Sequence, residues 1–272
     1  MLMAMKIAFA TASINAAIRT GDARLLDKSV KSLEQAFARL PEGHNQFPYV
    51  AAALAIAVRE RYERRGDPAD LERALDLVWS AANATPPDHR QYGWIQSELA
   101  RTLTMHGGPT GQRTMLDEAV VAGRRSVGDL KLRGRDLAVR HTVLAIALNA
   151  RHNLTGDDED LAESTEHMRV AMGGSLRSAH DRATVAANNA LSRLVAYDRF
   201  GRAAELDAAI ESLNTIVSRP DDGYRQRLID LSYALRRRHY FPVVAPTSMP
   251  QSTPDAARPV MAHSIRLKTR PL

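Results

Sequence analysis

The sequence predicts an all-α protein built from repeated helical hairpins. Three observations support this class: a constant glycine period, two amphipathic helical patterns in each period, and an aliphatic rather than aromatic apolar content. Of the 272 residues, 44% are hydrophobic but only 5% are aromatic. That balance is enough for a core and argues against a β-sandwich or barrel.

Glycine recurs every 45 residues along the chain, and other positions recur with it. The glycines are Gly21, Gly66, Gly111, Gly156 and Gly201. The residues eleven positions before them are Ala10, Ala55, Ala100, Ala145 and Ala190. The residues eight positions after them are Ser29, Ala74, Ala119, Ser164 and Ala209. Such agreement indicates five copies of one structural unit.

The second copy shows why each unit is expected to contain two helices. Pro48 suits the first turn of a helix, and Gly66 suits the left-handed cap that ends it. Asp67 is then the N-cap of a second helix whose first residue is Pro68, and Pro86 stops that helix. With only a glycine and an aspartate between them, the two helices should form an antiparallel hairpin.

The two columns of small residues predict where helices approach each other. Only alanine, serine or glycine fits where helix backbones come close, within a hairpin or between neighbours. A hairpin cannot bury both of its faces alone, so stacking of the five repeats into a solenoid is expected over residues 1–239. An amphipathic helix over residues 222–239 should cap the stack. The segment 107–111, Gly-Gly-Pro-Thr-Gly, is expected to loosen the third turn.

These repeats resemble those of the tetratricopeptide repeat (TPR) family. The residues that carry the resemblance are Leu99, Ala100, Leu103 and Ala119, the small residues Ala36, Ala81, Ser126 and Ala171, and the prolines Pro41 and Pro86. The unit is longer than the usual 34 residues of that family. Segments 61–71 and 85–89 look like a long-repeat bacterial variety that often accompanies caspase-like CHAT proteases.

The resemblance covers residues 1–235 and implies a right-handed superhelix that binds a partner. It departs from the family pattern at Asn189, where the other repeats have leucine or phenylalanine. The chain contains no cysteine, so the catalytic dyad of a CHAT protease cannot form. The resemblance therefore implies the partner-binding array and not the protease.

The positive charge is concentrated at the C-terminal end of the chain. Residues 236–272 contain seven basic residues and one acidic residue, so the net charge of this segment is +6. The net charge of the whole chain is also +6. The proline-rich residues 240–272 are expected to form a disordered basic tail. Nonspecific nucleic-acid binding through this tail and Arg236-Arg237-Arg238 is one alternative function.

Catalytic and metal-binding motifs are weak, so no enzyme, cofactor or metal is expected. His141 and His152 are too far apart along one helix to share a metal ion. His44 and His89 occupy the same position in successive loops, where solvated histidines are favoured over a ligand array. The acidic run 157–160 fits a helix N-terminus better than a calcium loop. An enzyme with a site in the groove stays a less favoured alternative.

The favoured function is a non-catalytic scaffold that binds a protein or peptide along the groove formed by the first helices. Aromatic residues and arginines most often anchor interfaces. The predicted groove residues are Tyr49, Arg59, Trp94, Arg101 and Asn149. The alternative interpretation is that Trp94 packs near a helix start and that the arginines are only solvated. No apolar segment is long enough to span a membrane, and a cytoplasmic location is expected.

Overall fold

A computed structural model describes residues 2–41, 43–128, 132–176, 178–217 and 224–240. This part of the chain contains eleven α-helices and no strand, as the sequence predicts. The helices are α1 (Leu2–Thr20), α2 (Ala23–Phe37), α3 (Phe47–Arg65), α4 (Pro68–Asn83), α5 (Tyr92–Thr110), α6 (Arg113–Val127), α7 (Gly134–Thr155), α8 (Asp158–Met172), α9 (Ala179–Phe200), α10 (Ala203–Val217) and α11 (Tyr224–Tyr240).

The helices belong to two compact units, α1–α6 and α7–α11. In the first unit, α1 packs on α2, α3 on α4 and α5 on α6, and successive hairpins contact each other through α1–α3, α2–α3, α3–α5 and α4–α5. In the second unit, α7 packs on α8 and α9 on α10, and α9 also contacts α7 and α8. The predicted hairpins are therefore present. The predicted tail, 240–272, lies outside the described residues beyond Tyr240.

The glycine that separates the two helices of each hairpin has a left-handed conformation in all five copies. The φ angles lie between 66° and 75° at Gly21, Gly66, Gly111, Gly156 and Gly201. At Gly66 the backbone amide donates a 2.7 Å hydrogen bond to the carbonyl of Tyr62 and ends α3. A side chain is strained at such angles, which explains the strict recurrence of glycine.

The residue after this glycine starts the next helix in three hairpins. The carboxylates of Asp22, Asp67 and Asp157 accept backbone hydrogen bonds of 2.9–3.1 Å from the first turns of α2, α4 and α8. These contacts satisfy amide groups that lack a partner within the helix. The predicted N-cap at Asp67 is thus confirmed, and Asp157 caps α8, in agreement with the prediction that the acidic run 157–160 lies at a helix N-terminus.

The expectation that segment 107–111 loosens the third turn was wrong. Helix α5 continues to Thr110 with Pro109 inside it, and Gly111 keeps the same left-handed turn. Gly107 is instead a packing position within α5, where an added Cβ would lie 2.8 Å from the Cβ of Met115 in α6. Glycine at this position allows the two helices to approach each other.

Both columns of small residues are buried, as predicted. None of the ten residues in these columns is more than 2% exposed. In the fourth hairpin the hydroxyl of Ser164 donates a 3.0 Å hydrogen bond to the carbonyl of Ala145, which joins the two columns directly. Such a contact requires the backbones of α7 and α8 to lie close together at this level.

Helix α11 packs on the last hairpin of the second unit. Leu231 and Ala234 join a buried cluster with Tyr197 of α9 and with Leu206 and Leu213 of α10. Of the three leucines of α11, only Leu231 is buried. Leu228 is 37% exposed and Leu235 is 43% exposed.

The burial of Ala100 provides a test of the small-residue columns. Replacing Ala100 with leucine should lower the free energy of unfolding by roughly 1–3 kcal/mol, because the added atoms overpack a closed contact. The matched control is Ala12→Leu on the exposed side of α1, which should change stability very little. Urea denaturation of both variants measures the effect, and equal midpoints would contradict the assignment.

Candidate binding surface

The loops before α3 and α5 have the same structure and place equivalent residues at the two helix starts. In each loop the histidine Nδ1 accepts a backbone hydrogen bond, His44 from Gln46 at 3.1 Å and His89 from Gln91 at 3.2 Å. The backbone amides of these histidines donate to the carbonyls of proline residues three positions earlier. The repeated histidine therefore shapes the loop, which accounts for its recurrence without a metal.

Tyr49 and Trp94 form an aromatic pair at the starts of the first helices of adjacent hairpins. Their ring centroids lie 5.7 Å apart, with an interplanar angle of 39°. Both side chains are half-buried, so part of each ring reaches the surface. The structure thus brings together two of the predicted groove residues, and their contact is in the range that stabilises aromatic pairs.

Arg59, another predicted groove residue, lies inside the first unit instead of on its surface. It is 1% exposed, and its Nη1 lies 2.9 Å from Oε2 of Glu98 and 3.2 Å from the hydroxyl of Thr102. Burial alone would lower the pKa of the guanidinium, but Glu98, Glu63 and Glu60 outweigh it and raise this pKa. Arg59 therefore stays charged in the interior.

The position of Arg59 follows from the helical repeat. It comes four residues after Ala55, which is one turn, so it lies on the same buried face as the alanine column. Asn149 has the equivalent position after Ala145 in the second unit. It is 9% exposed, and its Nδ2 donates a 2.7 Å hydrogen bond to the hydroxyl of Ser192. These two predicted groove residues are placed between neighbouring first helices.

Three charged side chains lie on the partly exposed face of α3 and α5. Glu60 and Glu63 follow Tyr49 at helical spacing, and Arg101 follows Trp94 by two turns; all are half-buried. We call the surface formed by Tyr49, Ile56, Glu60, Glu63, Trp94 and Arg101 the α3–α5 face.

The carboxyl group of Glu60 is strongly perturbed. Burial and the neighbouring carboxylate of Glu63 raise its pKa to about 7, and Arg59 and Arg101 offset only part of this increase. The salt bridges found in the described part of the chain do not include Glu60 or Glu63. Two carboxylates are therefore held close together, incompletely compensated, beside an aromatic pair.

The helical spacing in the sequence indicates that these acidic residues, and not Arg59, share a face with Tyr49. Positions 49, 56, 60 and 63 follow the spacing of seven, four and three residues that defines one helical face. A face that starts at Tyr49 therefore includes Ile56, Glu60 and Glu63, and it excludes Arg59 by about 100° of helical rotation.

The first unit has a concave feature on the other side of α5. It is an open cavity of about 490 Å³, and its lining includes Trp79 of α4, Tyr92 and Gln96 of α5, and Arg125 of α6. Gln96 is 4% exposed, and its Oε1 is buried without a hydrogen-bond partner. The sequence alone does not indicate this cavity, because its residues come from helices that belong to two hairpins.

Three of the four acidic side chains at the start of α8 make contacts within the protein. Asp157 caps the helix, Asp158 pairs with Arg199, and Asp160 accepts two hydrogen bonds from Arg151 at 2.6 and 2.8 Å. No group of three or more potential metal ligands occurs among the described residues.

Comparison with models of protein families, with curated proteins and with solved structures finds no match to this chain. Among the described helices, none has the length and apolar character needed to cross a membrane. The assignment of a function therefore depends on the geometry and chemistry of the surfaces described above.

The buried Arg59–Glu98 pair generates a stability prediction. Arg59→Met should lower the free energy of unfolding by about 3 kcal/mol, because it leaves the largely buried carboxylate of Glu98 without its cation. Replacing both residues, as Arg59→Met with Glu98→Leu, should recover much of this loss. Chemical denaturation of the single and double variants measures the coupling between them.

The control for this experiment is an exposed ion pair in the same unit. Arg113 and Asp117 are separated by 3.5 Å, and their side chains are 73% and 44% exposed. Arg113→Met should cost about 0.5 kcal/mol or less. An equal cost for Arg113→Met and Arg59→Met would contradict the importance of the buried pair.

The raised pKa of Glu60 predicts a dependence of stability on pH. The pKa of Glu60 is about 7 in the folded protein, whereas the usual pKa of a glutamate is 4.5. Between these two pH values the folded state binds the proton more tightly than the unfolded state, so the stability of the wild type falls as the pH rises. Glu60→Gln removes this loss. The free energy of unfolding of this variant should exceed that of the wild type by roughly 1–3 kcal/mol at pH 8 and by less at pH 5.

Thermal and urea denaturation at both pH values test this prediction. Glu72→Gln, on the exposed side of α4, is the matched control and should follow the wild type at each pH. If Glu60→Gln and the wild type were equally stable at pH 8, the carboxyl group of Glu60 would not be perturbed as described.

Proposed function

We propose that this chain is a non-catalytic scaffold of TPR-like repeats that binds a protein or peptide through its first helices. In this proposal the hairpins stack in a right-handed superhelix, and the α3–α5 face is the part of the groove that holds the partner. The five equivalent turns and the packing of first helix on first helix within each unit support it.

The main support for this proposal is that the α3–α5 face combines an aromatic pair with two acidic residues. Tyr49 and Trp94 offer a partly exposed aromatic surface, and Glu60 and Glu63 offer carboxylates whose charge is incompletely neutralised. Aromatic residues beside desolvated charged groups are typical of the centres of interfaces.

The charges on this face favour a partner that brings a basic side chain. Arg59 is not available to bind a carboxylate of a partner, because its guanidinium is already paired with Glu98. Arg101 is the remaining arginine of the predicted set. A basic side chain of the partner would neutralise Glu60 and Glu63, while an apolar side chain beside it would cover Tyr49 and Trp94.

Nucleic-acid binding is less well supported. The tail that would carry it lies outside the described residues. Of the preceding arginine cluster, Arg237 is paired with Asp198 at 2.7 Å and lies over the ring of Tyr233 at 4.6 Å from its centroid. This arginine therefore contributes to packing within the second unit.

Selection from a random-peptide phage library against the full chain tests the proposed function. The enriched peptides should combine an aromatic or large apolar residue with lysine or arginine. Trp94→Ala should weaken binding of the best peptide by about 1–3 kcal/mol, as is usual for an interface anchor. Glu60→Gln should also weaken it and remove the increase in affinity expected as the pH rises through 7.

The second tryptophan of the chain is the control for this experiment. Trp79→Ala removes a side chain of the same size from the cavity between α4, α5 and α6 and should leave the affinity unchanged. If Trp79→Ala weakens binding and Trp94→Ala does not, the peptide occupies that cavity. If neither affects it, with both variants folded, the α3–α5 face is not the site.

A further inference from the structure

We propose that His141 of α7 and His167 of α8 form a binding site for a divalent transition-metal ion of tetragonal geometry, such as Cu²⁺ or Ni²⁺. Neither residue belongs to the α3–α5 face, so this inference is independent of the proposed function. It concerns the second unit alone.

The two imidazole rings face each other across the α7–α8 hairpin. Their Nδ1 atoms lie 2.9 Å apart, and their ring centroids lie 5.0 Å apart. Both side chains are half-buried, which fixes the rings and still leaves access from solvent. In the metal-free protein, one Nδ1–H donates a hydrogen bond to the other Nδ1.

This separation suits two ligands on adjacent corners of a metal ion. Histidine nitrogens bind such ions at about 2.0–2.1 Å. Two nitrogens at 2.9 Å then subtend an angle of about 90° at the metal, which is the angle of square-planar and tetragonal sites of Cu²⁺ and Ni²⁺. A tetrahedral zinc site would require a wider angle and more ligands. Water would complete the coordination.

The protonation states of the pair are compatible with binding. The hydrogen bond between the two rings needs a proton on one Nδ1 and a lone pair on the other. Metal ligation by both Nδ1 atoms requires the proton of each ring to lie on Nε2. The donor ring therefore exchanges its tautomer, and no net proton release is needed for a neutral pair.

Neighbouring groups on α8 favour a cation at this position. Oε1 of Glu163 lies 3.5 Å from Nε2 of His167, where it can orient the ring and hold the Nε2–H tautomer. Glu166 adds a second carboxylate nearby, although Arg169 pairs with it at 2.5 Å. The site thus combines two imidazole ligands with acidic neighbours.

The sequence alone does not predict this pair, because spacing along one helix does not relate residues on two different helices. His141 and His152 lie too far apart along α7 to share a metal ion, and Nδ1 of His152 lies 2.7 Å from the carbonyl oxygen of Asp157. The partner of His141 comes from the second helix of the same hairpin. Only the antiparallel packing of α7 on α8 brings it close.

Titration of the full chain with Cu²⁺, followed by electron paramagnetic resonance, tests the proposal. The wild type should show a tetragonal signal with splitting from two nitrogens. His141→Ala and His167→Ala should each lose that pattern and weaken Cu²⁺ binding by more than about tenfold. His89→Ala, which removes a loop histidine, is the control and should retain both.

Thermal denaturation with and without Ni²⁺ keeps the test decisive if a variant is less stable. The ion should raise the melting temperature of the wild type and of His89→Ala in a concentration-dependent manner. It should leave His141→Ala and His167→Ala unchanged relative to their own metal-free midpoints. Equal Cu²⁺ affinity and equal Ni²⁺ stabilisation in all four proteins would overturn the proposal.

Discussion

The close approach of helices at the alanine and serine columns is the constraint on which the rest of each unit depends. The hydrogen bond from Ser164 to the carbonyl of Ala145 shows how near the backbones of a hairpin lie. At this distance a larger side chain has no room. The residues one turn further along the same face then lie between neighbouring first helices and must be apolar or paired. Arg59 and Asn149 occupy such positions and are paired.

These two polar contacts are equivalent in the repeat, although they lie in different units. Each joins the position seven residues before one glycine to the position nine residues before the next, as in the bond from Asn149 to Ser192. Between the first two hairpins the same positions hold Ile14 and Ala57, both buried. The repeat therefore tolerates either chemistry there. The polar version penalises any register of the two neighbouring first helices that separates the paired residues, because a buried charge or amide would lose its partner.

Much of the fold could be predicted from the sequence, because its determinants recur. The glycine at each turn, the aspartate caps and the small-residue columns are local or periodic signals, and they gave the helices and their pairing. The site was harder to predict. Residue type suggested Arg59, but burial depends on which face of α3 meets α5. Similarly, Gly107 looked like a loop residue in the sequence, yet it serves close packing against Met115 of α6.

Arg59 and Glu60 show how one step along a helix separates a structural role from an available surface. Arg59 points into the contact between first helices, where Glu98 neutralises its charge. Glu60 points to the partly exposed face, where Arg59 and Arg101 together offset only part of the cost of its burial beside Glu63. Because Arg59 is already paired, the acidic residues can regain a balanced charge in two ways. They can bind a proton, which the raised pKa of Glu60 reflects, or they can bind a cation brought by a partner. The interaction that stabilises the first unit thus leaves an incompletely compensated carboxylate pair at its surface.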